Sequence, residues 1–239
     1  MLIGSHKCKE VLNMNKTTSR ADNQARAQLL REQNPFIMTN EVVYKLILSD
    51  IVSCRLKPGE KLREETCAEL YGCSRTTIRK VFDRLIAEDW LDCSESHRVR
   101  IRTISKENHM DTMEFRMAVE PAAARLAARC RTREDLCAIE QSVMQCDTAD
   151  IHQLYIGDLE FHRAILVACK NQYFINAYKM IDLHISRAKL FFATDFEDVS
   201  KECFQEHLQI YRTIKERDEA AAYKFAKQHI KMMLDAKVQ

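Results

Sequence analysis

Apolar and polar positions follow different patterns in three parts of the chain. Residues 1–35 are polar and show little apolar periodicity, so we expect a flexible N-terminal tail. Residues 36–104 contain short apolar stretches at helical spacing, separated by Pro58-Gly59 and by Gly72, and then an apolar-basic alternation typical of a strand. Residues 105–239 contain one segment after another with the apolar spacing of a helix. We therefore predict a mainly α protein with an all-helical bundle of about six helices after residue 104.

The most basic of the predicted helices follows Gly72. Ser74 is a natural N-cap, and one apolar stripe at i, i+3, i+4 and i+7 spacing forms its buried face: Ile78, Val81, Phe82 and Leu85. Arg75 and Arg79 are four residues apart and project together from another face, with Thr76 and Lys80 beside them. A helix, a glycine turn and a second helix that begins with exposed arginines match a helix-turn-helix, whose second helix enters the DNA major groove.

A basic strand follows this helix. Val99, Ile101 and Ile104 alternate with three arginines, Arg98, Arg100 and Arg102. Residues 74–106 contain eight Lys/Arg and five Asp/Glu, whereas the whole chain is near balance at +2. Affinity for a polyanion must therefore come from a local patch. A solvated amphipathic helix would explain the helix alone, but the preceding helix, the turn and the basic strand together favour a winged helix-turn-helix at residues 36–104.

Composition indicates a cytoplasmic protein. No apolar stretch approaches the length of about 18 residues that a membrane span needs, and we expect no membrane partner. The ten cysteines include no CxxC pair, so we expect reduced, mostly buried thiols.

The helical half contains one pair of residues with metal-ligand spacing. Asp158 and His162 are four residues apart on one predicted helix, so their side chains can converge on one point. His207 and His229 lie in the last two predicted helices, and antiparallel packing of these helices could bring the two side chains level. Satisfied core or surface histidines are the alternative. Imidazole nitrogens together with a carboxylate suit zinc, nickel, manganese or iron, with zinc expected in a purified sample.

The segment "LKPGEKLREETCAELYGCSRTTIRKVFDRLIAEDWL" resembles the winged-helix domain of the GntR family of bacterial transcription regulators, especially the FadR branch. The resemblance implies that Arg75 and Arg79 read bases or phosphates, with Ser74 and Thr76 beside the backbone. "SHRVRI" matches the wing and adds His97 and Arg98. The chain departs from the family pattern in three places: no glycine separates Arg98 from Val99, Cys67 stands at a usual leucine, and Asp89 stands at a usual glycine.

Residues 107–239 resemble the FCD ligand-binding domain of the same branch. The resemblance implies a divalent metal held by Asp158, His162, His207 and His229, and a small carboxylate effector held by Arg116, with Arg187 as a second arginine. It also implies a homodimeric repressor that binds double-stranded DNA at an inverted-repeat operator. Two alternatives stay open: a helical metalloenzyme acting on a small organic acid with an accessory N-terminal domain, and a metal with a purely structural role.

Overall fold

The computed structural model describes residues 19–94, 98–147, 151–191 and 200–235. The chain divides into two compact units, and the boundary lies between Ile104 and Ser105. The first unit contains four described helices and three short strands: α1 Arg20–Gln33, α2 Thr39–Val52, β1 Lys61–Leu62, α3 Glu64–Tyr71, α4 Arg75–Ala87, β2 Leu91–Cys93 and β3 Val99–Ile101. The second contains six described helices: α5 Lys106–Cys130, α6 Arg133–Gln145, α7 Ile151–Ala168, α8 Gln172–Phe191, α9 Ser200–Glu216 and α10 Glu219–Asp235. The predicted fold class, a winged helix-turn-helix followed by a helical bundle, is confirmed.

The helix-turn-helix forms from the local signals in the sequence. Gly72 ends α3 in the left-handed region at φ 64°, which glycine adopts without strain. The Ser74 hydroxyl then caps α4 by accepting a hydrogen bond from the Thr77 backbone N–H. The predicted stripe of α4 is fully buried and packs against α2 and α3. These contacts fix the orientation of α4, so that its polar face lies at the surface.

The wing is a small antiparallel sheet with strand order β1-β3-β2. Its register pairs Lys61 with Arg100 and Leu91 with Ile101. Asp89, at the position where the family usually has glycine, has a φ of 62°, the left-handed conformation that favours glycine. Its carboxylate pairs with Arg102.

The expectation of a flexible tail over residues 1–35 is wrong for residues 20–33, because α1 packs against α2 and α3. Residues 1–18 lie outside the described residues. The buried Asn23 amide donates to the Leu70 carbonyl, and Arg26 pairs at 2.7 Å with the fully buried Asp50. These polar contacts anchor a helix that has almost no apolar face.

The second unit is built around α5, which contacts α7, α8, α9 and α10. This helix continues through Pro121 from Lys106 to Cys130. Thr132 and Asp135 form a capping box at the start of α6. α9 and α10 are joined by only two residues and pack side by side, which brings their facing side chains level.

The described cysteines are free thiols, and they are less buried than expected. Cys67, Cys146, Cys169 and Cys203 are buried, whereas Cys93, Cys130 and Cys137 are exposed. Among the described residues, the helices include none with the length and apolarity needed to cross a membrane.

Candidate metal centre and nucleic-acid interface

Donor atoms from α7, α9 and α10 converge inside the second unit. His207 Nε2 lies 3.2 Å from His229 Nε2 and 3.6 Å from Asp158 Oδ1. All three side chains are buried. At this distance the lone pairs of two imidazole nitrogens repel each other unless a proton or a cation lies between them. The chemistry of this donor set fits a divalent transition metal.

His162, the fourth predicted ligand, lies at the edge of the same cluster. Its Nε2 is 3.6 Å from Asp158 Oδ1, but it is also 3.2 Å from an Arg116 guanidinium nitrogen. Its Nδ1 is 2.8 Å from a Glu120 carboxylate oxygen. In this arrangement Nδ1–H donates to Glu120, and the Nε2 lone pair faces both Arg116 and the cluster.

Two carboxylates fix the ring orientations of the histidines. Glu206 accepts a hydrogen bond from His229 Nδ1 at 2.7 Å, as Glu120 does from His162. Each bond puts the proton on Nδ1 and leaves Nε2 as the donor to a metal, the usual arrangement for metal-ligating histidines. Burial lowers the pKa of His229 to about 4, even though Glu206 favours its charged form. Burial also lowers the pKa of His162. Both rings are therefore neutral at pH 7, as metal ligation requires.

A close approach of α6 and α7 positions Asp158. A Cβ on the preceding residue, Gly157, would lie 2.9 Å from both Cys146 Sγ and the Gln145 carbonyl carbon. Only glycine fits this contact without displacing backbone.

Sequence reasoning missed one donor near the cluster. Cys203 Sγ lies 3.7 Å from His207 Nε2 and 3.8 Å from Asp158 Oδ1. The signal was present in the sequence, because Cys203 precedes His207 by four residues, the same spacing that identified Asp158 and His162.

The two predicted effector residues, Arg116 and Arg187, are both buried. Arg116 donates to Glu120 through Nε at 2.6 Å and through one terminal nitrogen at 3.3 Å. Two cavities lie beside the cluster, one lined by His162 and His229 and the other by Asp158 and His207, and each has a volume of about 10 Å³. Such a volume holds about one water molecule. A small carboxylate would therefore need side chains to move before it could enter.

In the first unit, the predicted DNA-binding side chains lie at the surface. All the described members of the set are exposed: Ser74, Arg75, Thr76, Arg79, Lys80 and Arg98. The remaining one, His97, lies outside the described residues. Arg100 on β3 adds an exposed cation that the strand pattern indicated.

Glu64, at the start of α3, binds the arginines of α4. Both of its carboxylate oxygens accept from Arg79 at 3.0 Å, and one lies 3.9 Å from Arg75. The Arg79 side chain remains 66% exposed. Surface ion pairs of this kind contribute little to stability, so Arg79 can exchange Glu64 for another anion at little cost.

Comparisons with known proteins agree with this two-unit structure. A curated repressor from Escherichia coli K12, HTH-type transcriptional repressor RspR, is 22% identical over 82% of this chain and 88% of its own length. The galactonate operon transcriptional repressor of the same organism is 27% identical over 72% of this chain and 85% of its own length. The solved structure of E. coli McbR/YncC has a TM-score of 0.69 and 15% identity, and the match covers 84% of this chain and 97% of that one.

The family matches follow the order of the two units. Residues 39–101 match the family described as bacterial regulatory proteins, gntR family, and residues 111–232 match the FCD domain. The relatives are transcriptional regulators rather than enzymes, which removes the metalloenzyme alternative. The chain belongs to the GntR family of bacterial transcriptional regulators, with an FCD domain after its DNA-binding domain.

Proposed function

We propose that this regulator represses transcription by binding an inverted-repeat operator as a homodimer, and that a divalent metal and a small carboxylate in the FCD domain control this binding. The observation that carries the proposal is the convergence of Asp158, His207 and His229 donor atoms in the second unit. Control requires that the ligand-bound and ligand-free states differ in their affinity for DNA.

The DNA contact is assigned to the exposed start of α4. Arg75 and Arg79 extend from its first turns, where a recognition helix meets base edges. Arginine can donate two hydrogen bonds to guanine O6 and N7, and Lys80 and Thr76 suit phosphate oxygens. Arg98 and Arg100 would lie along the sugar-phosphate backbone of the DNA.

Fluorescence anisotropy with DNA from upstream of the protein's own gene tests this assignment. We expect Arg79→Ala to weaken specific binding by about 1–3 kcal/mol and to relax base preference. Lys80→Ala should weaken binding to all sequences and reduce the salt slope by about one. Arg125→Ala, which removes an exposed arginine from the second unit, is the matched charge control. Equal losses for Arg79→Ala and Arg125→Ala would contradict the interface.

The metal is assigned to Asp158, His162, His207 and His229. Supporting this assignment, Glu206 and Glu120 hold the Nδ1 protons of His229 and His162, so the Nε2 atoms are available. A divalent ion would supply a Lewis-acidic centre to which a carboxylate can bind. Elemental analysis of the purified protein should find about one equivalent of metal per chain. The variant His207→Ala should remove it, whereas His184→Ala, from the same unit, should retain it.

The carboxylate effector is assigned to the space between the metal donors and Arg116. The Arg116 guanidinium lies 3.2 Å from His162 Nε2, so an anion bound at the metal could also reach it. Arg187 is proposed as a second contact. The galactonate operon repressor is named for an operon of a sugar acid, which agrees with an effector of this class. Thermal shifts of the zinc-loaded protein with a panel of small carboxylates test the assignment. No shift in the presence of any of them would favour a purely structural metal.

The homodimer is proposed because an inverted repeat requires two related helix-turn-helix units. An exposed apolar stripe on α8 offers a contact surface: Tyr173 and Met180 are two turns apart and are 87% and 77% exposed. Analytical ultracentrifugation should give a dimer for the wild type and a smaller species for Met180→Lys. A monomeric wild type at micromolar concentration would refute the dimer.

A further inference from the structure

The Cys203 side chain faces the same point as the histidine and aspartate donors. It lies on α9, one turn before His207, and is buried. One donor atom from each of four residues lies within 4.8 Å of the others: Asp158, Cys203, His207 and His229. These residues come from three helices, so their convergence depends on the tertiary fold and not on one local spacing.

Four of the six distances between these atoms fit one tetrahedral ion. With bonds of about 2.3 Å to sulfur and about 2.0–2.2 Å to nitrogen and oxygen, neighbouring donors of a tetrahedral zinc are about 3.3–3.6 Å apart. Two separations lie within a few tenths of an ångström of this: 3.2 Å between His207 and His229, and 3.6 Å between His207 and Asp158. The separations of 3.7 and 3.8 Å that involve Cys203 also do.

The other buried thiols of this unit lack this geometry. Cys146 Sγ is 3.8 Å from Nδ1 of His207, the ring nitrogen that faces away from the cluster. Cys169 Sγ accepts a hydrogen bond from the Asn171 backbone N–H at 3.4 Å. Burial raises the pKa of Cys169, as expected for an unreactive core thiol. Cys203 is thus set apart from them by having Asp158 Oδ1 and an imidazole Nε2 as neighbours.

We propose that Cys203 is a ligand of the divalent metal, as a thiolate beside Asp158, His207 and His229. This inference rests on the metal function proposed above and replaces His162 with Cys203 as the fourth donor. When the ion binds, the S–H bond breaks, the proton passes to solvent and a sulfur–metal bond forms. A thiolate is a soft ligand, so the site prefers zinc over manganese. His162 then remains beside the centre, hydrogen-bonded to Glu120.

Cobalt(II) reports directly on this bond. The full chain is stripped of metal with a chelator and then loaded with cobalt, and its absorption spectrum is recorded. We expect a thiolate-to-cobalt charge-transfer band in the near ultraviolet and the visible bands of bound cobalt. Cys203→Ser should lose the near-ultraviolet band, whereas Cys169→Ser, which replaces a buried thiol in the same unit, should retain it. Cys203→Ser should also lower the affinity for zinc, relative to that for manganese, at least about tenfold. Removing even the hydrogen-bond partner of a metal ligand lowers metal affinity by this much.

The outcomes separate the two proposals. Visible bands without the near-ultraviolet band in the wild type would show bound metal without sulfur, which overturns the thiolate and leaves the metal function standing. Absence of cobalt and zinc binding would overturn the metal function itself. If Cys203→Ser does not fold, X-ray absorption of the zinc-loaded wild type decides without a variant. One sulfur at about 2.3 Å supports the proposal, and a shell of only nitrogen and oxygen refutes it.

Discussion

Replacing Glu120 with glutamine should strongly destabilise the FCD domain. The buried Glu120 carboxylate accepts four hydrogen bonds. One oxygen receives Arg116 Nε at 2.6 Å and the Tyr178 hydroxyl at 3.0 Å. The other receives an Arg116 terminal nitrogen at 3.3 Å and His162 Nδ1 at 2.8 Å. Burial alone would raise the pKa of Glu120, but the charge of Arg116 and the hydrogen bonds from Arg116 and His162 hold it well below its ordinary value. The carboxylate is therefore ionised and balances the buried Arg116.

The glutamine variant has nearly the same shape, but it has one acceptor oxygen where the carboxylate has two. Whichever way the amide is turned, its NH₂ faces two donors, and Arg116 keeps an uncompensated buried charge. Breaking a buried ion pair in this way costs about 3–5 kcal/mol. At roughly 2–4 °C per kcal/mol for a chain of this size, the melting temperature should fall by about 6 °C or more. Urea unfolding of the chelator-treated protein measures the loss.

Glu140→Gln is the matched control, because the exposed Glu140 accepts one hydrogen bond from the Tyr211 hydroxyl at 2.6 Å. It should cost no more than about 1.5 kcal/mol. The double variant Arg116→Met, Glu120→Leu removes both charges and should lose less stability than Glu120→Gln alone. A Glu120→Gln loss as small as that of the control would refute the buried-charge argument.

Three further predictions concern other contacts. Gly157→Ala should cost about 1–3 kcal/mol by overpacking, because its Cβ meets backbone 2.9 Å away; an unchanged urea midpoint would contradict this. Arg26→Ala should destabilise the DNA-binding unit by about 1–3 kcal/mol, since it leaves the buried Asp50 with one cation fewer, and equal stability would show that α1 is not anchored there. Burial lowers the pKa of His229 to about 4, below about 6.5 when unfolded, so the unfolded state binds more protons between these values. The free energy of unfolding of the metal-free protein, measured by urea titration, should therefore fall by about 2 kcal/mol between pH 7 and pH 5. An equal fall in His229→Gln would refute the shift.

The helix-turn-helix could be predicted from sequence because its signals are local. Ser74 as a cap, Gly72 as a turn and the apolar stripe of α4 each depend on residues less than three turns apart. Helix α1 could not be predicted in the same way. Its anchors are Asn23 and Arg26, whose partners Leu70 and Asp50 lie 47 and 24 residues away, and polar anchors leave no periodic apolar pattern.

The candidate metal site was only partly predictable. Spacing on one helix links Asp158 to His162, but only the packing of α7, α9 and α10 brings His207 and His229 to the same point. Arg116 and Glu120 are also four residues apart, but their spacing did not predict a buried pair, because an i, i+4 ion pair is usually a surface feature. Whether such a pair is buried depends on the tertiary fold, which periodicity does not give.

Counting the charges of the buried groups that contact the donor atoms or His162 links the thiolate to the effector. A divalent ion and Arg116 bring three positive charges, and Asp158 with Glu120 brings two negative ones. One positive charge is left, and a buried charge without compensation is costly. The Cys203 thiolate neutralises it in the effector-free protein, and a carboxylate bound at the ion would neutralise it equally well. The two anions are then alternatives at one centre. Cys203→Ser should therefore bind a small carboxylate more tightly than the wild type when both carry zinc, as isothermal titration calorimetry can measure, whereas Cys169→Ser should not. Equal affinity in all three proteins would show that the carboxylate and the thiolate do not share the ion.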